Sequence, residues 1–358
     1  MTTPWMLYGA NGYTGELIAE KAVADGLRPV LAGRNRVAIE KLAARLGLES
    51  RVFDLDDPDT VARNLEGMAL VLHTAGPFSA TSEPMVTACL RARVHYLDIT
   101  GEIDVFEACK ARDAEAKARG VVVLPGVGFD VVPSDCLARA LAEALPGAVR
   151  LELAFQALGS MSRGTLKTML EQVGRGTQVR RGGKIETVAA DALQKTIEFD
   201  GKPRTTVAIG WGDVSTAHHS TGIADITVYM AMPPGQIRGL RLMNMLGPVL
   251  RRPTVVKLLK AIVGRTVHGP KEAAREASRA DLWGKVTGVA GQSVEGRLRT
   301  PEGYNATVIT SLACVRRLLS ERPEPGYHTP SSAFGAGLVR QLPGFELEVG
   351  AVQLPAGR

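Results

Sequence analysis

The sequence predicts an α/β protein: a doubly wound parallel sheet, then a second α+β domain carrying an open mixed sheet. Three observations carry this reading. The first third of the 358 residues alternates short apolar runs with helical patterns, as βαβ units do. A glycine-rich turn, Gly9 to Gly15, joins the first run to the first helix. Beyond Pro133 the apolar runs lengthen and the alternation stops. At 45% hydrophobic and 22% charged residues, the chain can fill about two domain cores and is neither disordered nor collagen-like.

Trp5 to Tyr8 reads as a buried strand, and the helix after it places Gly15, Ile18, Ala19, Ala22 and Val23 on one face. Further strands follow at Pro29–Ala32, Arg51–Leu55, Ala69–His73, Val94–Ile99 and Val121–Leu124. Ser82 is expected to N-cap a helix with Glu83 and Pro84 in its first turn. Asp104 and Glu107 have capping-box spacing for the next helix. A helix from about Asp135 turns Cys136, Leu137, Ala140, Leu141 and Ala144 inward. Strands are expected at Val149–Ala157 and Ile223–Met232, and a hairpin around Gly291. A weak helix precedes Gly174, Gln236–Val263 reads as helical with breaks at Pro248 and Pro253, and a last long helix follows Tyr304.

The four cysteines are scattered, with no Cys-x-x-Cys or Cys/His spacing, so neither a metal site nor a disulfide scaffold is expected. Free thiols fit a reducing cytoplasm. No apolar run reaches the roughly 18 residues of a spanning helix, and a structured motif at Gly9 leaves no room for a signal peptide. Net charge is +6, but eight lysines and arginines lie between Asp225 and Glu272 with no acid among them. That local excess is larger than the whole chain's. It suggests a peripheral surface for an acidic acyl carrier or an anionic inner-membrane face through 236–271, or a helix pair at a homodimer interface. The segment lacks interleaved aromatics, so nucleic acid is not an expected partner.

Gly9-Ala10-Asn11-Gly12-Tyr13-Thr14-Gly15 is a G-x-x-G-x-x-G loop between a strand and a helix. Such glycines let the backbone turn tightly and approach a pyrophosphate held on the helix N-terminus, which marks a Rossmann-type dinucleotide fold. The second strand ends Leu31-Ala32-Gly33-Arg34-Asn35-Arg36, without the acid that binds an NAD ribose. Arg34 or Arg36 is suited to a 2′-phosphate instead, so the expected cofactor is NADP. Asp54 is placed either to contact the adenine or to cap the next turn. Ala75, Gly76 and Pro77 end the fourth strand where a nicotinamide half lies, unless they form a plain turn. The domain reading is 1–133 dinucleotide-binding, 134–325 for substrate and oligomerisation, and 326–358 returning to the first domain.

No tyrosine is followed four residues later by lysine, which excludes the short-chain dehydrogenase apparatus, and Cys136 sits on an inner face rather than as a nucleophile. Taken in order, GANGYTG, AGRN, TAGPF, YLDITGE (Tyr96–Glu102) and GVGFDVVPSD (Gly126–Asp135) resemble the saccharopine dehydrogenase-like family. The branch most similar is that of the bacterial trans-acting enoyl reductases, and Tyr327-His328-Thr329-Pro330 with Ala333-Phe334-Gly335 resembles it as well. The resemblance implies an NADP-dependent oxidoreductase. Enoyl-reductase-like members reduce a C=C bond in a carrier-bound lipid precursor; lysine-pathway members work on a C–N bond. A third reading, an NADP-binding sensor without chemistry, keeps the same glycine loop.

Thr100, Gly101 and Glu102 end the fifth strand, and Gly128, Phe129 and Asp130 follow the sixth. Both loops open at the sheet edge where a hydride acceptor sits. Asp130 or Glu102 is a candidate to orient the nicotinamide or relay a proton, with an Asx-turn as the alternative for Asp130. Ser134 either binds a substrate carbonyl or caps the helix that follows. His218 and His219, read as flanking a strand, point apart and make poor joint metal ligands.

Overall fold

A computed structural model of the chain describes residues 3–157, 176–189, 192–233, 235–237, 239, 272–276, 278–321 and 323–355. The helix expected before Gly174 and nearly all of the basic segment 236–271 lie outside the described residues.

The chain divides into two compact units. The first comprises 1–132 and 304–335, the second 133–303 and 336–358. The first begins β1 (Met6–Tyr8), α1 (Tyr13–Ala24), β2 (Val30–Gly33), α2 (Arg36–Leu46), β3 (Ser50–Val52) and α3 (Pro58–Leu65). It continues β4 (Leu70–His73), α4 (Phe78–Ala92), β5 (His95–Asp98), α5 (Ile103–Ala111), α6 (Asp113–Arg119) and β6 (Val122–Leu124). The second unit holds α7 (Val132–Ala144, entered at its first residue), β7 (Ala148–Ala157), β8 (Thr177–Arg181), β9 (Lys184–Val188), β10 (Gln194–Phe199) and β11 (Lys202–Ala208). Then come α8 (Asp213–Thr221), β12 (Asp225–Ala231), β13 (Arg279–Gly288) and β14 (Ser293–Pro301). The chain returns to the first unit with α9 (Gly303–Glu321) and β15 (Gly326–Tyr327), and ends in the second with β16 (Glu346–Val349).

The first sheet has seven strands in the order β15-β6-β5-β4-β1-β2-β3, every pair parallel. β1, β2, β4 and β6 are buried at every position, as strands covered on both faces must be. The order reverses between β1 and β4, and the glycine loop follows β1 at that switch point. The second sheet is mixed: β12 runs parallel to β7, and the other pairs are antiparallel.

Several expectations are corrected here. α4 starts at Phe78, not Ser82, because a carboxylate from another loop caps it; Pro84 is inside the helix. α5 starts at Ile103, so Asp104 lies in its first turn and is not its cap. α7 starts at Val132, which puts Ser134 inside the first turn. The residues after Tyr304 belong to the first unit, and 336–358 to the second, where β16 pairs with β14. Each unit is closed by a later stretch of chain, and linear hydrophobic pattern does not reveal such exchanges. His218 and His219 sit on a helix, α8, not beside one another on a strand. Among the described residues no helix is long and apolar enough to cross a membrane.

Candidate active site

Parallel strands deliver their following loops to one edge. In this sheet the loops after β1, β4, β5 and β6 touch in sequence across it.

Gly9 has φ +83, and its N–H donates to the Ala32 carbonyl at 2.8 Å. A Cβ there would lie 2.7 Å from the Ala75 nitrogen, so the β1 and β4 loops are in backbone contact. A Cβ on Gly15 would lie 2.4 Å from the Gly9 oxygen, so α1 is pressed onto its own loop. Gly12 is different. It N-caps α1 in an extended conformation with no side-chain cap, and a Cβ there would meet only the Gly9 oxygen, at 3.2 Å. The open position at a helix N-terminus without a side-chain acceptor fits a pyrophosphate. Asn11 is exposed and Thr14 half-buried beside it, while Tyr13 meets the ring of Tyr304 edge-on at 5.0 Å.

Arg34 is exposed directly after β2, and among the described residues no carboxylate pairs with it. Arg36 is held by Glu40 at 2.9 Å, and Asn35 N-caps α2 by accepting from the Ala38 N–H. Of the two arginines, Arg34 is therefore the one left for a 2′-phosphate. Asp54 accepts the Asp56 N–H at 3.2 Å, a turn-capping contact, and α3 is capped by Asp57. Tyr8 donates to the Phe53 carbonyl, and burial, then the charge of Asp54, pushes its phenol up to about 12. If Arg34 reads the phosphate, Arg34→Ala should weaken NADPH roughly tenfold or more and leave NADH nearly unchanged. Fluorescence titration with each cofactor decides this, and an equal loss for both removes Arg34 from that role.

The β4 loop is fixed from beneath. Thr81 donates to the carbonyls of Ala75 and Pro77 at 2.8 and 3.1 Å, and His73 Nε2 meets the same hydroxyl at 3.0 Å. His73 is fully buried, and burial drives its imidazole down to about 3, so it stays neutral. Its Nε2–H then donates to Thr81. Gly76 is exposed at the edge.

Glu102 does not serve as a free proton relay. Its two carboxylate oxygens accept the Phe78 and Ser79 N–H groups at 2.9 and 2.8 Å, at a position 8% exposed. It is the anionic cap that α4 has no local residue to supply. Glu102→Ala should cost about 3 kcal/mol, since two donors lose charged partners. Glu102→Gln should recover part of that, because one acceptor remains. Chemical denaturation of the three proteins measures both steps.

Thr100 is likewise committed. It is buried, its N–H donates to Asp98 Oδ1, and its hydroxyl accepts the Glu102 N–H at 3.1 Å. Asp98 also takes the Gly126 N–H at 2.8 Å and the Tyr96 hydroxyl at 2.6 Å, so one carboxylate ties the β5 and β6 loops together. Burial raises it to about 6 against those hydrogen bonds. Gly128 is packed against Thr307 and Ile99, and the Phe129 N–H donates to Thr307 Oγ1 at 3.1 Å. Thr310 donates to the Val127 carbonyl at 2.9 Å. Gly128 and Phe129 thus seat the loop on α9.

Asp130 is the exception. A Cβ on Gly101 would lie 2.7 Å from its Oδ2, so the carboxyl rests on the bare Gly101 backbone. No Asx-turn forms, because the Val131 and Val132 N–H groups go to the Gly128 carbonyl. Desolvation, without a hydrogen bond to oppose it, raises the carboxyl to about 7. A carboxyl poised near neutrality at a cofactor edge is suited to proton transfer. Ser134 is buried in the first turn of α7, and Asp135 beside it accepts the Ser220 hydroxyl at 2.6 Å within the second unit.

The sequence reading missed Asp98, His73, Thr81, Tyr304, Thr307 and Thr310. Only Tyr96 and Asp98, two apart on one strand face, carried a readable signal.

Residues 5–124 match the family model of the saccharopine dehydrogenase NADP binding domain. A Mycobacterium leprae protein named trans-acting enoyl reductase is 34% identical over 138 residues, 36% of this chain and 33% of its own. A Mycobacterium tuberculosis protein, Rv2449c, provisionally given the same name, is 26% identical over an alignment of 404 positions, gaps included, that spans 94% of each chain. The human saccharopine dehydrogenase-like oxidoreductase is 29% identical over 150 residues, 36% of this chain and 35% of its own. The fold is similar to that of yeast saccharopine dehydrogenase (L-Glu forming), with TM-score 0.64 at 11% identity over 98% of this chain and 100% of that one.

Proposed function

We propose that this chain, an NADP-dependent oxidoreductase carrying the saccharopine dehydrogenase NADP-binding domain, reduces the C=C bond of an acyl or lipid-precursor substrate. The observation that carries the reading is geometric: Asp130, half-buried after β6 at the loop edge of the sheet, rests its carboxyl on the bare Gly101 backbone, and desolvation there raises it to about 7. NADPH, when bound, supplies a hydride. The Gly9–Gly15 backbone holds its pyrophosphate, Arg34 its 2′-phosphate, and the 75–77 loop flanks its nicotinamide half. Reduction of a conjugated C=C bond also needs one proton at the carbon next to the carbonyl, and Asp130 holds it. Glu102 works at one remove, by fixing the start of α4 and with it the 75–77 loop.

In this reading an acidic acyl carrier or an anionic membrane surface presents the substrate to 236–271, and the protein is a cytoplasmic or peripheral homodimer. Loss of that association at high salt, or in Arg251→Glu/Arg252→Glu, is the matching expectation.

Full-length protein is mixed with NADPH and an enoyl thioester, and loss of reduced nicotinamide is followed together with product mass. A product that has gained two hydrogens supports the reading. No consumption with enoyl thioesters, but consumption with a keto acid and an amine, replaces it with C–N chemistry; no consumption with either points to a sensor.

A further inference from the structure

On the second sheet, Arg150, Glu152 and Ala154 of β7 share a face with Asp225, Thr227 and Tyr229 of β12, their register partners. The same face continues through Lys285, Trp283 and Asp281 of β13 to Glu295, Arg297 and Arg299 of β14. Most of its cations are neutralised locally. Lys195 pairs with Glu152 at 2.8 Å, Lys285 with Glu295 at 2.9 Å, Arg297 with Glu198 at 3.6 Å and Arg299 with Asp281 at 3.1 Å.

Arg150 and Arg181 are not neutralised in this way, and they line one cavity. Its volume is about 320 Å³, and its walls are Arg150, Glu152, Arg181, Asp225, Thr227 and Tyr229. Among the described residues neither guanidinium has a carboxylate partner; Arg181 donates only to Thr227 Oγ1, at 3.1 Å. The carboxylates in the wall are already occupied, Glu152 by Lys195 and Asp225 by the Gly182 N–H at 2.8 Å. The neighbouring Arg180 shows what a structural arginine does here: it is buried and donates to the Val214 and Gly183 carbonyls, both at 2.7 Å. Thr227 and Tyr229, both buried, line the cavity as well, and the Tyr229 phenol adds a hydroxyl. The volume suits a small molecule, and among the described residues no carboxylate takes up the two guanidiniums of its wall.

We propose that this cavity is a binding site for a small anion, gripped through a carboxylate or phosphate group by Arg150 and Arg181. The site lies within the second unit and stands whether or not the enoyl reading holds.

Calorimetric titration of the full-length protein, saturated with NADP to occupy the glycine loop, uses inorganic phosphate and succinate in separate arms, with neutral succinamide as control. Saturable binding of either anion, none of succinamide, and a loss of roughly tenfold or more in Arg150→Gln and in Arg181→Gln are expected. The arm that binds more tightly names the anionic group. Arg150 is exposed and, among the described residues, unpaired, so Arg150→Gln should melt with the wild type; if Arg181→Gln does not fold, Arg150→Gln alone decides. Absence of saturable binding in both arms, or unchanged affinity in Arg150→Gln, overturns the proposal.

Discussion

Asp130→Asn is expected to lower turnover with an enoyl thioester by roughly a hundredfold while leaving NADPH affinity nearly unchanged. The amide keeps the shape of the side chain against Gly101 and removes the proton. In the wild type, turnover should fall as pH rises through about 7, where the acid form is lost. In the variant that limb should vanish. The same group makes a stability statement of definite sign. Its folded pKa lies above its unfolded value, so the native state holds the extra proton between the ordinary carboxyl value of 3.8 and about 7. The stabilisation is complete below that window and is lost as pH rises through it. Asp130→Asn should therefore be more stable than wild type at about pH 8, with the advantage gone near pH 4. Denaturation at both ends of the range tests this. A difference that does not vary with pH would mean that the carboxyl is hydrated and unperturbed, and the proton-donor assignment would fall with it.

Gly12→Val should abolish binding of NADPH and NADH alike, by roughly a hundredfold or more, in a protein that still folds. Gly12 has φ −77 and ψ 162, which valine adopts, and its Cβ would crowd only one carbonyl oxygen, at 3.2 Å. The space its methyls fill is the space a pyrophosphate needs. Gly15→Ala provides the contrast. Its Cβ would lie 2.4 Å from the Gly9 oxygen and 2.9 Å from the Ala10 Cα, both backbone. That clash should cost roughly 3 kcal/mol or more. Thermal melts beside cofactor titrations separate a blocked site from a broken loop. Normal NADPH affinity in Gly12→Val would show that the pyrophosphate lies elsewhere.

The parallel sheet was readable because each βα unit announces itself locally, by an apolar run followed by a helical stripe. Gly9, Gly12 and Gly15 were readable for the same reason. The start of α4 was not, since its cap, Glu102, arrives 24 residues after Phe78. β8 to β11 escaped because their exposed positions carry charged residues and threonines and show no apolar alternation. Their turns were nonetheless written plainly: Gly182-Gly183 and Asp200-Gly201 all have positive φ, the pattern of tight hairpins. The role of α9 was hidden because its buried face includes Ala306, Thr307, Thr310, Ser311 and Cys314, small residues that no hydrophobic stripe reveals. Asp130 was named from its place after β6; the bare Gly101 backbone that its carboxyl lies against belongs to another loop.

The bonds from Thr307 and Thr310 to the loop carrying Asp130 span 178 and 183 residues of chain. On a ribosome adding about 5–20 residues per second, that loop waits roughly ten to thirty-odd seconds for its buttress to emerge. The glycine loop has no such delay, since its partners in β2 and β4 follow within the first 75 residues. The nascent protein thus gains its nucleotide cradle early and its proton donor's support late. Between those moments the first sheet lacks β15, and β6 is an open edge. An unpaired edge strand held for seconds is a place where another chain can add itself, so yield during expression should depend on how fast the ribosome reaches β15.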